Sequence, residues 1–188
     1  MPKTLALNET TLDFITQGGH ANYAGISGGF PYGIGTYTNA VTNTGTDTAG
    51  ASGTEFVGAI FIPMNCTVTG IGYLIGATGG TDKAIVSLYS ATGKILASSA
   101  IAGVTVGTAG TVQQLPFTTA YAAVGPAFYF LSLTYNGTTA RFRSIPTTAE
   151  FGIKHIGNEV AGCTFGTLAN IVVPTTFVAD KVPIAALY

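Results

Sequence analysis

The side chains that could do chemistry in this chain are few and scattered. There are two histidines, His20 and His155, and two cysteines, Cys66 and Cys163. A thiol near an imidazole, here Cys163 with His155 and Glu159 as a neighbouring carboxylate, is the minimum for a nucleophile and base pair. No strand-turn-helix elbow surrounds either cysteine or any serine, and the convergent polar groups that a catalytic site needs are not indicated. Asp82, in the turn Thr78-Gly79-Gly80-Thr81-Asp82, could help backbone carbonyls hold Ca²⁺. One carboxylate on a turn is better read as a turn-stabilising Asp hydrogen-bonded to its own backbone. Gly33-Ile34-Gly35 and Gly70-Ile71-Gly72 echo a dinucleotide loop, but neither follows a strand and opens a helix. The expectation is a protein that is not an enzyme, with no cofactor and no metal site. Cys66 and Cys163 are read as buried free thiols, with a disulfide between them as the alternative.

Charge is the stronger signal. The 188 residues hold only seven Lys and Arg and eight Asp and Glu, 8% of the chain. An ordinary soluble domain carries about 25%. No charged residue falls between Asp13 and Asp47, or between Lys94 and Arg141. A chain this poor in charge needs another way to stay out of aggregates, and burial against other subunits is the obvious one. Nucleic-acid binding is not expected, because no basic patch or stripe exists. Arg141 and Arg143 are the one local basic cluster and the charged candidates for a contact surface. No run of about 20 apolar residues occurs, so no membrane span is expected, and residues 1–15 lack the pattern of a secretion signal.

The elements that would position these groups are strands. Residues 55–63 (EFVGAIFIP) are apolar and β-branched. Residues 66–75 (CTVTGIGYLI) alternate, with Val68, Ile71, Tyr73 and Ile75 packing around an irregularity that glycine allows. Residues 83–89 (KAIVSLY) place Ala84, Val86 and Leu88 on one face, and the SATG turn returns them to 94–100 as a hairpin. Residues 111–117 include Pro116, which suits an edge or an end. After Gly125-Pro126, residues 127–135 (AFYFLSLTY) are the strongest strand. Asn136-Gly137 is the best hairpin signal in the chain and is expected to join that strand to residues 139–144. There Ala140 and Phe142 face one way and Thr139, Arg141 and Arg143 the other, as in a half-exposed strand near an edge. The expected fold class is all-β: an antiparallel, jelly-roll-like β-sandwich over residues 55–188.

Residues 1–54 read differently. They are rich in Gly, Thr, Asn and Tyr and show no helical or strand period. An extended Gly/Thr-rich N-terminal arm is expected. Ordering such chain costs about 1–2 kcal/mol per residue, which contacts with neighbouring subunits would offset. Tyr23, Phe30, Tyr32 and Tyr37 are the candidate anchors. The alternative is an arm packed on its own domain.

From about residue 68 to 143 the cadence of strands and turns resembles the β-sandwich modules of tailed-phage virion proteins. The residues that carry it are Leu88-Tyr89, Gly93-Lys94, Ala97-Ser98-Ser99, Gly125-Pro126 with Tyr129, and the run Asn136 to Phe142 (NGTTARF). The resemblance brings no active-site residues with it. It implies a virion structural protein, assembled in the host cytoplasm. Its leading form is a head decoration or cement protein whose partners are the major capsid protein and copies of itself, most simply as a trimer. A tail-fibre or carbohydrate- and receptor-binding module is the alternative.

Overall fold

The computed structural model describes residues 45–146 and 156–188. These form eleven strands and, among the described residues, no helix. The larger sheet has the order β10-β2-β8-β4-β5, with β6 also on β4. Its strands are β2 (Thr54–Ile62), β4 (Lys83–Ser90), β5 (Ile95–Ser98), β6 (Val104–Thr105), β8 (Ala127–Tyr135) and β10 (Gly157–Ala161). The smaller sheet, β11-β3-β7, contains β3 (Cys66–Leu74), β7 (Val112–Ala123) and β11 (Ala185–Leu187). A further pair joins β1 (Thr46–Ala49) to β9 (Arg141–Ser144), and a bridge from Phe142 to Ile75 attaches it to the end of β3. Every pairing between named strands is antiparallel.

Period-two alternation builds the core between the sheets. Ala84, Val86 and Leu88 of β4 and Tyr129, Leu131, Leu133 and Tyr135 of β8 point inward. They meet Val68, Ile71 and Tyr73 of β3 and Leu115 and Phe117 of β7. Phe142 packs against Phe56 with centroids 4.6 Å apart and stacks on Tyr135 at 6.0 Å. The opposite face of the larger sheet is covered too: Val57, Tyr89 and Phe130 lie under Ile156, Val160, Ile171 and Val173. This second cover explains why β8 is apolar almost throughout rather than alternating.

Several expected features are present. The turn after β4 closes with Ser90 N donating to Lys94 O, and Gly93 takes φ +81°. The irregularity in β3 falls between Val68 and Gly70. Pro116 sits on β7, the end strand of its sheet. Of the segment 1–54, residues 1–44 lie outside the described residues. Residues 46–49 are strand β1, held on β9 by the pairing of Asp47 with Arg143 and of Ala49 with Arg141.

The expected Asn136-Gly137 hairpin does not form. β8 is hydrogen-bonded to β2 on one edge and β4 on the other, so no edge remains for β9. The chain instead turns a corner from the larger sheet to β9, and neither Asn136 nor Gly137 adopts positive φ. Asp82 fastens this corner. Its Oδ2 accepts the amides of Thr139 and Ala140 at 2.7 and 2.6 Å. Asn136 Oδ1 accepts from Lys83 N at 2.7 Å, and Asn136 N donates to Lys83 O at 3.1 Å. A Cβ at 137 would run into the Asp82 carboxylate and force it to shift.

Two substitutions test the corner. Asp82→Ala should lower unfolding free energy by about 2–3 kcal/mol, since it removes an ionised acceptor from two amides. Gly137→Ala should cost roughly 1–2 kcal/mol by displacing the same carboxylate. In urea titrations the double variant should fall short of the sum. Strict additivity would show that Gly137 does not act through Asp82.

Candidate functional site

Among the described residues, those singled out from the sequence do not converge. His20, Tyr23, Phe30, Tyr32, Tyr37 and His155 lie outside the described residues. Arg141 is engaged within the chain: its Nε pairs with the Asp47 carboxylate and its Nη2 donates to Asp47 O at 2.6 Å. Asp47 Oδ1 also accepts from Ala77 N at 2.7 Å, so the pair ties β1 to β9 and to the chain after β3. Arg143 is half-buried on the same face of β9. Asp82 is the corner fastener, and no group of three or more His, Cys, Asp or Glu side chains comes together among the described residues.

Among the described residues one acidic side chain is buried, and it went unsignalled in the sequence. Glu55, 5% exposed, opens β2 on the face covered by the C-terminal segment. Its Oε1 accepts from Tyr89 Oη at 2.7 Å and from Ser132 Oγ at 2.5 Å. Three strands are thereby cross-linked, because Glu55, Ser132 and Tyr89 come from β2, β8 and β4. Ser87, Thr134, Cys163 and Thr167 complete a pit of about 20 Å³, room for roughly one water molecule. Burial pushes the Cys163 thiol up, and the negative charge of Glu55 pushes it the same way. Burial also raises Cys66. Both cysteines are free, and both thiols are biased toward the neutral, less nucleophilic form. The arrangement is mechanical: a carboxylate satisfying two buried hydroxyls under a tight cover.

The surface offers a different kind of site. At the end where β2 finishes and β8 begins, Phe61 and Phe128 are cross-strand partners with ring centroids 5.0 Å apart. Phe128 is 52% exposed, Met64 37% and Val124 64%. The two loops carrying Met64 and Val124 are tied together. Asn65 Oδ1 accepts from Gly125 N at 2.9 Å. Tyr129 Oη accepts from Val124 N at 3.0 Å and donates to Val124 O at 2.9 Å. Residues 56–81 and 95–140 contain no Asp, Glu, Lys or Arg, so the apolar side chains at this end stand on uncharged strands and loops. No family model, curated protein or solved structure matches this chain.

Two outcomes follow from the buried polar groups. Glu55→Ala should destabilise the protein by about 2–4 kcal/mol, because two buried hydroxyls lose their acceptor, and Glu55→Gln should cost less. Chemical denaturation of the two variants checks the order. Burial also raises Tyr73, Tyr89 and Tyr135, with the Glu55 charge adding to the effect at Tyr89. The folded state therefore keeps these protons while the unfolded chain loses them near pH 10. Stability should be fully present below about pH 10 and decline above it. Absorbance at 295 nm should show these three tyrosines ionising only as the protein unfolds. Their titration near pH 10 in a folded protein would contradict this.

Proposed function

We propose that this chain is a virion structural protein, a capsid decoration or cement protein of a tailed phage. In this reading a jelly-roll-like β-sandwich sits on the head, and the Gly/Thr-rich N-terminal arm reaches the major capsid protein. The observation that carries the reading is the uncharged apolar end formed by Phe61, Met64, Val124 and Phe128 on loops held by hydrogen bonds. A surface of this kind contributes by being buried against another subunit of an assembly. The strand and turn cadence from Leu88 to Phe142 supports the same class. The mechanism is interfacial: no cofactor, nucleic acid or membrane takes part, and stabilisation of the shell comes from desolvating apolar area.

The Phe61–Phe128 ring pair, in which Phe128 is exposed and Phe61 half-buried, also favours a second reading, a tail-fibre or receptor-binding module that stacks saccharide rings on its tip. The two readings separate on location. Fractionated virions should carry the protein on heads under the first and on tails under the second.

Shells lacking the protein provide the direct test. Purified full-length chain should cosediment with them and raise their melting temperature. A form beginning at Gly45 keeps β1 and its Asp47–Arg141 pair and should retain its far-UV circular dichroism, yet lose shell binding. Binding of the full chain should persist above about 0.3 M salt, because the segment between Asp13 and Asp47 has no charge to screen. Normal occupancy by the shortened form would move the contact to the sandwich. No cosedimentation of the full chain would end the reading.

A further inference from the structure

We infer that the apolar end carrying Phe61, Met64, Val124 and Phe128 is a self-association surface, on which a second copy of this chain packs the same end. The inference rests on the reading of the chain as an assembly component, and it names the partner of that surface.

The first argument is the concentration of exposed apolar side chains. Met64, Val124 and Phe128 are three of the large hydrophobic side chains exposed among the described residues, and they share one end of the sheets with Phe61. Val172, 87% exposed, lies beside the 90–94 turn, where Ile171 N donates to Gly93 O at 2.9 Å. That turn is at the same end, since Ser90 pairs with Tyr129. Large side chains present about 150–200 Å² each, so the exposed fractions amount to roughly 400 Å² of apolar surface. A standard interface needs about 800 Å² per partner. The patch therefore supplies about half of one side, enough to nucleate a concentration-dependent contact.

The second argument is preorganisation. The Phe61–Phe128 pair is set by strand register, and the Met64 and Val124 loops are locked to each other through Asn65 and Tyr129. Little ordering entropy remains to oppose binding.

The third argument selects the partner. The strands and loops that form the tip are free of charge from residue 56 to 81 and from 95 to 140, and Lys94 is the charged side chain of the 90–94 turn. A partner bringing its own charges would leave them desolvated and unpaired. An anionic lipid surface would call for a cluster of basic residues around the tip, and among the described residues the 90–94 turn brings a single lysine. The same tip on a second copy is apolar and, apart from Lys94 in the adjoining turn, free of charge over residues 56–81 and 95–140, and a two-fold axis places it on both sides of one contact.

The test uses the full chain in free solution, without shells, so its outcome is independent of whether shells bind the protein. Sedimentation equilibrium from about 1 μM to 1 mM should show reversible association of the unaltered protein. Val124→Asp and Phe128→Asp, both at exposed positions, should each weaken it at least tenfold while leaving circular dichroism unchanged. Val178→Asp, at an exposed position next to β10, should not. If Phe128→Asp disturbs the strand, Val124→Asp alone decides, because it lies in a loop. A strictly monomeric protein at 1 mM overturns the inference, as does association that both tip variants leave intact. Flotation of the protein with phosphatidylcholine vesicles, abolished by Val124→Asp, would also overturn it in favour of a lipid surface.

Discussion

β8 is hydrogen-bonded along both edges and, from Tyr129 onward, buried on both faces, and the rest of the architecture follows from that. With β2 and β4 occupying its edges, the chain leaving Tyr135 cannot fold back as a hairpin and must cross to β9. Because Tyr129, Leu131, Leu133 and Tyr135 fill the inner core, Phe130 and Ser132 project to the other side and need a second cover. The C-terminal residues supply it, through β10 on the edge of β2 and through Ile171 and Val173 over Tyr89 and Phe130. A buried outer face that includes Ser132 and Tyr89 then needs a hydrogen-bond acceptor. Glu55 provides it from the neighbouring strand.

The few charges are used to hold this frame together. Asp47 and Arg141 join β1 to β9, Asp82 holds the corner amides, Glu55 satisfies two buried hydroxyls, and Lys181 pairs with Glu159 at 2.8 Å. A carboxylate accepting backbone or hydroxyl donors is worth more where water is scarce than it would be on an open surface. The consequence is a protein with long uncharged stretches, residues 56–81 and 95–140, whose exposed loops there are apolar or neutral. The tip around Phe128 is the extreme case. Its geometry is stiffened by the hydrogen bond that Asn65 accepts and by those that Tyr129 accepts and donates, and neither residue contributes charge. The proposed interfacial role and the proposed self-association both draw on this one property.

Much of the strand layout was legible in the chain itself. Periodicity and turn residues place β2, β3, β4 and β8 within a residue or so of their observed limits. They also place Ala84, Val86 and Leu88 inward and the β3 irregularity next to Gly70. These features are local: a pleated strand alternates its side chains whatever it pairs with, and a glycine permits a bulge whichever strand lies opposite. The scarcity of charge, and its absence over two long runs, is likewise a property of sequence alone.

Strand partnership was not legible. Asn136-Gly137 is a strong hairpin signal because those residues tolerate positive φ, yet turn preference is worth only a few tenths of a kcal/mol to about one, and the two-sided pairing of β8 outweighs it. The roles of Asp82, Asp47 and Glu55 were hidden for a related reason. Their partners lie 57, 94 and 77 residues away in the chain, and no local pattern encodes a contact across such a distance. The apolar tip was hidden as well, because Phe61, Met64, Val124 and Phe128 come together only when β2 registers against β8. Sequence determined that this protein is built of strands and nearly without charge. Tertiary structure decided which strands are neighbours, and therefore where the remaining charges are held and which apolar side chains are left outside.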